Sequence, residues 1–131
     1  METVMQIVEN YPKQCLDVMM NHIGTHDTER AITKIVGESC EYRDRYWQSS
    51  HFLDEVKYAK GVKLLKCAVA LQYTLPGVPS VYYGDEAGMQ GYKDPFNRGC
   101  YPWGNENTEL IDFYSKLRTS YKKIFPLKEE Y

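Results

Sequence analysis

Apolar positions come along this chain in short blocks, each closed by residues that break regular structure. The first block, Glu2 to Glu9, puts Val4, Ile7 and Val8 at helical spacing with Met5 beside them. It reads as a helix stopped by Asn10, Tyr11 and Pro12. The run from Cys15 to Ile23 is short, mostly apolar and closed by Gly24. It is expected as a buried strand, although periodicity alone leaves a helix open. A polar loop from Thr25 to Arg30 follows, and the charged, aromatic stretch from Glu38 to Ser50 reads as a long excursion. Ser50 is expected to cap a helix running to about Leu75, with Asp54 and Glu55 in its early turns. Its apolar stripe is the row Leu64, Ala68, Leu71 and Leu75, widened by Val62, Leu65 and Val69, and it broadens toward a more buried C-terminal end. Pro76 and Gly77 end that helix.

Pro79 to Tyr83 predicts a second short strand, closed by Gly84. The loop from Asp85 to Asn105 is rich in Gly, Pro and aromatic residues, and loops of that length inside a domain are usually functional. A last helix begins near Asn107 or Thr108, with Leu110, Phe113, Leu117, Tyr121 and Ile124 on its apolar face and Pro126 at its end. Lys116, Arg118, Lys122 and Lys123 crowd its C-terminal half, where the helix dipole favours cations. Strands alternating with helices point to βα units with parallel strands. Both long loops run from a strand to a helix, the face on which a β/α barrel carries its chemistry. Two strands cannot close such a barrel, which takes eight strands and typically ~250 residues.

Composition narrows the function classes. Hydrophobic residues make up 43% and charged residues 26% of 131, which fits one globular unit. A formal net charge of -2 argues against a nucleic-acid partner. The 12 tyrosines suit half-wet clefts as well as cores. Cys15, Cys40, Cys67 and Cys100 form no CxxC pair, and are expected as free thiols in a reducing, cytoplasmic setting. The first residues hold neither a long apolar run nor a basic leader, so no membrane partner is expected.

Gly24 to Arg30 is the sharpest cluster of polar chemistry. A carboxylate there can steady developing positive charge, an imidazole can bond a sugar hydroxyl, and an arginine can hold the carboxylate ionised. The same residues also fit a polar turn with a capping Asp. Asp94 and Arg98, four apart among Tyr92, Phe96, Tyr101 and Trp103, fit either a saccharide subsite or a solvated loop pinned by an ion pair. Asp85 and Glu86 are adjacent, so on an extended strand they point to opposite faces and read as structural groups fixing the turn after Gly84. His22 and His26 lie four apart, but there is no HExxH and Gly24 separates them, so no metal is expected. No phosphate-binding glycine pattern is present, and no cofactor is expected.

The segments IGTHDTERAIT and LPGVPSVYYGDEAGMQGYKDPFNRGCYPWG resemble glycoside hydrolase family 13, the α-amylase family, and most closely its neopullulanase and cyclomaltodextrinase branch. The resemblance runs from Asn10 to the last helix. It implies an α/β fold, a (β/α)8 TIM-barrel portion from about strand seven to helix eight, with Leu16 to Ile23 as strand seven and Ser80 to Tyr83 as strand eight. It implies that residues 1–131 form a single partial domain. Asp27 matches the carboxylate that stabilises the oxocarbenium-like transition state, and His26 a residue that bonds sugar hydroxyls. Asp94 and Arg98 match residues of the donor-side subsites, and Arg30 belongs to the motif as a further substrate-binding candidate. Gly84, Asp85 and Glu86 match a structural turn.

Retaining glycosidases also need a nucleophile and an acid/base about 5–5.5 Å apart. In this family they come from strands four and five, and no Gly-Phe-Arg-x-Asp segment occurs here. The resemblance therefore implies part of a retaining hydrolase of α-1,4-glucosidic bonds, inactive by itself, whose partners are an α-glucan oligosaccharide and the remainder of the barrel. Two other readings compete with it. One is a stand-alone saccharide-binding module. The other is a fragment without function that self-associates through exposed strand edges and helix faces.

Overall fold

In the computed structural model, which describes residues 2–125, helices α1 (Glu2–Asn10) and α2 (Lys13–Val18) lead into strand β1 (Met20–His22). Helices α3 (Ala31–Val36), α4 (Arg45–Ser50) and α5 (Glu55–Thr74) follow, then strand β2 (Val78–Ser80), a 3-10 turn (Phe96–Arg98) and helix α6 (Thr108–Ile124). The two strands pair in parallel, with Met20 opposite Val78, Asn21 opposite Pro79 and His22 opposite Ser80. The strand–helix–strand order and the parallel pairing expected from the sequence are therefore present. Pro126 lies outside the described residues.

Several boundaries differ from expectation. Cys15 to Val18 is helical, and the strand is confined to Met20–His22. Only Leu16 of that helix is buried, while Lys13 and Asp17 pair across one turn at 2.6 Å on its exposed side. An exposed i,i+4 pair supports a helix and would have no use in a buried strand. The second strand is shifted to Val78–Ser80, because only these residues have a partner in β1. Val81 to Tyr83 leave the sheet, and Tyr82 and Tyr83 turn their rings onto Arg30 instead. Helix α3 and helix α4 were not separate elements in the sequence pattern, being six residues each.

Ser50 does not cap α5. It closes α4, where its hydroxyl donates to the Tyr46 carbonyl at 3.0 Å. Asp54 caps α5, its carboxylate accepting from the Lys57 amide at 2.7 Å. Asn107 caps α6 in the same way through the Leu110 amide at 3.0 Å. A side-chain cap supplies an acceptor that the first turn lacks, typically ~1 kcal/mol each.

The core lies between α3, α5 and α6, where Ala31, Ile32, Val62, Leu65, Val69, Leu110 and Tyr114 pack together. Within α5 the buried row is Gly61, Val62, Leu65, Val69 and Gln72, all beyond its first turn. Leu64 and Leu71, placed at the centre of the expected stripe, are exposed. A Cβ at Gly61 would lie 2.8 Å from Ile32 Cγ1 and 2.9 Å from Val36 Cγ2, so its absence lets α3 and α5 approach closely. In α6 Leu110 and Tyr114 are buried, whereas Ile124 is exposed.

A polar peg joins α5 to the sheet. Gln72 Nε2 donates to the Asn21 carbonyl at 2.8 Å and to the Ser80 carbonyl at 2.7 Å, one on each strand. In return, Asn21 Nδ2 donates to the Pro76 carbonyl at 3.1 Å, just after the helix ends.

Candidate functional site

Each strand delivers its loop to the same end of the sheet. The loop after β1 carries His26 and Asp27, both exposed, with His26 Nε2 3.3 Å from Asp27 Oδ1. The loop after β2 carries Asp94 and, on the 3-10 turn, Arg98. Arg98 Nε lies 3.0 Å from Asp94 Oδ1, and Arg98 Nη2 lies 3.9 Å from Asp27 Oδ1. Arg98 Nε also donates to the His26 carbonyl at 3.3 Å, across 72 positions of chain. Residues from the two loops thus form one charged cluster with Arg98 at its centre. A cleft of about 290 Å³ opens beside it, lined by His22, Thr25, His26, Asp27, Val81 and Tyr82.

Arg30 is placed elsewhere. Its side chain is 0% exposed, so it does not face the cleft as a substrate-binding group. Nη1 donates to the Tyr83 carbonyl and to Asp85 Oδ1, the latter at 3.3 Å. The guanidinium carbon lies 4.4 Å from the centre of the Tyr82 ring and 4.6 Å from that of Tyr83. Nε and Nη2 have no hydrogen-bond partner among the described residues, while the two rings favour the cation as a whole. Arg30 therefore ties the start of α3 to the turn after β2, beneath the exposed cluster. Asp85 is the structural group of the turn, as expected, and burial pushes its carboxyl up to about 6 although Arg30 pulls it back down.

The aromatic residues of the second loop divide into distinct environments. Tyr92 is buried, with Trp47 of α4 tilted against it at 4.9 Å between centres. Phe96 lies under the Arg45 guanidinium at 5.6 Å. Trp103 is 81% exposed, with the Tyr101 ring 4.6 Å away. The sequence alone leaves all four as either sugar-stacking rings of one subsite or members of a solvated loop pinned by an ion pair. The structure leaves Tyr101 and Trp103 available for that and uses Tyr92 as support.

Glu29, a member of the first polar cluster with no role assigned from sequence, is buried beside Arg30. Cys40 Sγ donates to Glu29 Oε1 at 2.7 Å, and Lys34 Nζ lies 2.9 Å from Glu29 Oε2. Burial alone would raise its carboxyl, but the Cys40 and Lys34 bonds outweigh that and hold it below the ordinary range. Asn97 lies in the motif that carries the resemblance, with no role assigned to it there. It sits between the charged residues of the motif and is fully buried. All four cysteines are free thiols, three of them exposed. Among the described residues no group of three or more His, Cys, Asp or Glu side chains is arranged to hold a metal ion. Among them no helix is long and apolar enough to cross a membrane.

A family model described as the alpha amylase catalytic domain matches residues 1–125. The chain belongs to the alpha-amylase family. Similarity to an amylopullulanase of Thermoanaerobacter thermohydrosulfuricus reaches 41% identity over 116 residues, covering 88% of this chain and 7% of that protein. A cyclomaltodextrinase of Thermoanaerobacter pseudethanolicus is 37% identical over 102 residues, covering 76% of this chain and 14% of that protein. Neopullulanase 2 of Thermoactinomyces vulgaris is 32% identical over 109 residues, covering 82% and 15%. Among solved structures, a debranching enzyme from Nostoc punctiforme superposes with a TM-score of 0.68 at 26% identity, covering 93% of this chain and 20% of that one. The chain spans only a small part of the alpha-amylase family proteins it matches.

Proposed function

We propose that this chain forms the strand-seven to helix-eight portion of a retaining α-glucan hydrolase barrel and supplies one wall of its cleft. β1 and β2 are then neighbouring barrel strands, and the loops that follow them lie at the catalytic face. Asp27 steadies the positive charge that develops on the sugar ring, and His26 bonds a hydroxyl of the same sugar. Asp94 and Arg98 bond hydroxyls of the sugar on the donor side. The observation that carries this reading is the convergence of all four on one rim, with Arg98 3.0 Å from Asp94 and 3.9 Å from Asp27. A guanidinium between two carboxylates holds both in direction, which a transition-state stabiliser requires.

Double displacement needs two further carboxyl groups about 5–5.5 Å apart. Glu29 and Asp85 are buried and engaged with Cys40, Lys34 and Arg30. Neither is free to serve and no Gly-Phe-Arg-x-Asp segment occurs in this sequence, so we assign the chain by itself no hydrolytic activity. Its binding partners are an α-1,4-glucan oligosaccharide and the rest of the barrel. Exposed Val18, Met20 and Leu71 support the second of these, since they offer apolar surface that a barrel would cover. The free thiols support a reducing, cytoplasmic setting.

Reducing-sugar release from maltotriose and β-cyclodextrin, beside an Asp27→Asn control, tests the assignment. No release is expected from the chain or from the control. Release that Asp27→Asn abolishes would show a complete site and overturn the claim of missing groups. Acarbose affinity by calorimetry, lowered by Asp27→Asn, is the positive counterpart.

A further inference from the structure

Asp27 sits on an exposed loop whose own hydrogen bonds, all between Thr25 and Thr28 or the Asp27 amide, are long. The Thr25 amide donates to Thr28 Oγ1 at 3.2 Å and the Thr28 amide to the Thr25 carbonyl at 3.4 Å. Thr25 Oγ1 accepts from the Asp27 amide at 3.3 Å, and the Thr28 hydroxyl donates to the Thr25 carbonyl at 3.4 Å. Both are long for such bonds, and both are exposed to water. From outside, Arg98 Nε reaches the His26 carbonyl at 3.3 Å, and Asn97 makes the two shorter bonds. Its Nδ2 donates to the His26 carbonyl at 2.7 Å and to the Thr28 carbonyl at 2.7 Å. Those two carbonyls flank Asp27 on either side in sequence. Asn97 is 0% exposed, so both bonds are shielded from competing water.

The placement of Asn97 is itself fixed. It is the middle residue of the 3-10 turn, which the Arg98 amide closes onto the Pro95 carbonyl at 3.0 Å. The next residue is Arg98, which meets Asp27 from the outside. One short turn thus grips the backbone around Asp27 with one residue and reaches its carboxylate with the next. A second set of bonds anchors the two loops nearer their stems. The Arg30 amide donates to the Gly91 carbonyl at 2.9 Å, and the Gly91 amide donates to Thr33 Oγ1 at 3.0 Å.

We infer that Asn97 is a positioning residue for Asp27: its amide clamps the His26 and Thr28 carbonyls and so fixes the loop that aims the carboxylate. This rests on the reading of Asp27 given above for its consequence in sugar binding, but not for the clamp itself. The clamp needs two donors on one short side chain. Asn97→Asp would keep the shape and lose both donors, setting one carboxylate oxygen against two carbonyl oxygens. Asn97→Ala would lose the donors and leave a void.

The test compares the intact chain with Asn97→Asp and Asn97→Ala by amide relaxation and hydrogen exchange in NMR. Loss of two shielded hydrogen bonds is expected to raise opening of the 26–28 loop by about tenfold or more, while amides of α5 and α6 keep their protection. An unchanged loop would overturn the clamp, and so would loosening spread evenly through α5 and α6. Asn97's own side-chain amide gives a readout that does not depend on any variant folding. In the unaltered chain its Nδ2 protons are expected to exchange slowly, and fast exchange would refute the bonds. Acarbose titration separates the two levels. If the loop loosens and affinity falls by about tenfold in Asn97→Asp, both the clamp and its role stand. If the loop loosens and acarbose never binds even the unaltered chain, the clamp stands and the saccharide reading fails.

Discussion

Replacing Asp85 by Asn should invert the usual expectation for breaking a buried ion pair. Asp85 is 4% exposed and pairs with Arg30 at 3.3 Å. Burial raises its carboxyl from the ordinary 3.8 to about 6, and the attraction of Arg30 is already contained in that value. A carboxyl with a raised folded-state pKa binds more protons in the folded chain than in the unfolded one between 3.8 and about 6. Stability from this group is therefore fully present at low pH and is lost as pH rises through that window. An interval of about 2 units at roughly 1.4 kcal/mol each gives a loss of the order of 3 kcal/mol. Asn keeps the shape and the carbonyl acceptor toward Arg30 but never ionises. The chain carrying Asp85→Asn should therefore lack this slope and be the more stable of the two near neutral pH.

Urea unfolding followed by circular dichroism, on both proteins across that range, measures it. Glu29 works in the opposite sense, since its carboxyl is held below the ordinary range and its contribution is lost as pH falls. The decisive quantity is thus the stability of the unaltered chain minus that of Asp85→Asn at each pH, in which Glu29 cancels. That difference should fall by roughly 3 kcal/mol between about pH 3 and pH 7. A difference that stays flat or rises would mean that Arg30 outweighs burial, and the reasoning would be refuted.

Cys40 should resist alkylation in the folded chain while Cys15, Cys67 and Cys100 react. Burial and the bond to Glu29 push its thiol up, and the others are exposed; mass spectrometry after brief iodoacetamide treatment counts the adducts, and a fourth adduct without denaturant would contradict this. Gly84→Ala should destabilise the chain by about 2 kcal/mol or more. Its φ is +84°, and a Cβ there would collide with Met89 Sδ and lie 3.3 Å from Arg30 Nη1; a melting temperature equal to that of the unaltered chain would count against it.

The parts of the fold set by local signals were legible in the sequence. The end of α1 and the start of α6 follow from Pro12 and the Asn107 cap, which act on their own neighbours. The parallel strands followed from their alternation with helices. What failed depended on distant partners. Leu64 and Leu71 looked like core residues by spacing, yet α3 and α6 pack on the adjacent row and leave them exposed. The strand boundaries could not be read because a residue becomes a strand residue only where it is paired, and Val81 to Tyr83 are not. In the site, His26, Asp27, Asp94 and Arg98 were found by charge and by resemblance, and they do meet. Arg30 was drawn into the same set because its charge is indistinguishable in sequence from an exposed one; only the two tyrosine rings and Asp85 show that it is buried. Asn97 stands within the family-like KDPFNR segment but was given no role, since an uncharged amide in a polar loop is unremarkable until two carbonyls face it.

Paired strands of three residues hold too few ladder bonds to tell one alignment from its neighbour. The ruler lies in the helix between them. Gln72 reaches one carbonyl on each strand, at Asn21 and at Ser80, and a slip of one residue would present it with a carbonyl facing the wrong way. The alignment of the two strands decides how far along the sheet each loop departs. The separation of Asp27 from Arg98, closed directly by Asn97, thus begins from an alignment that a glutamine two elements away holds in place.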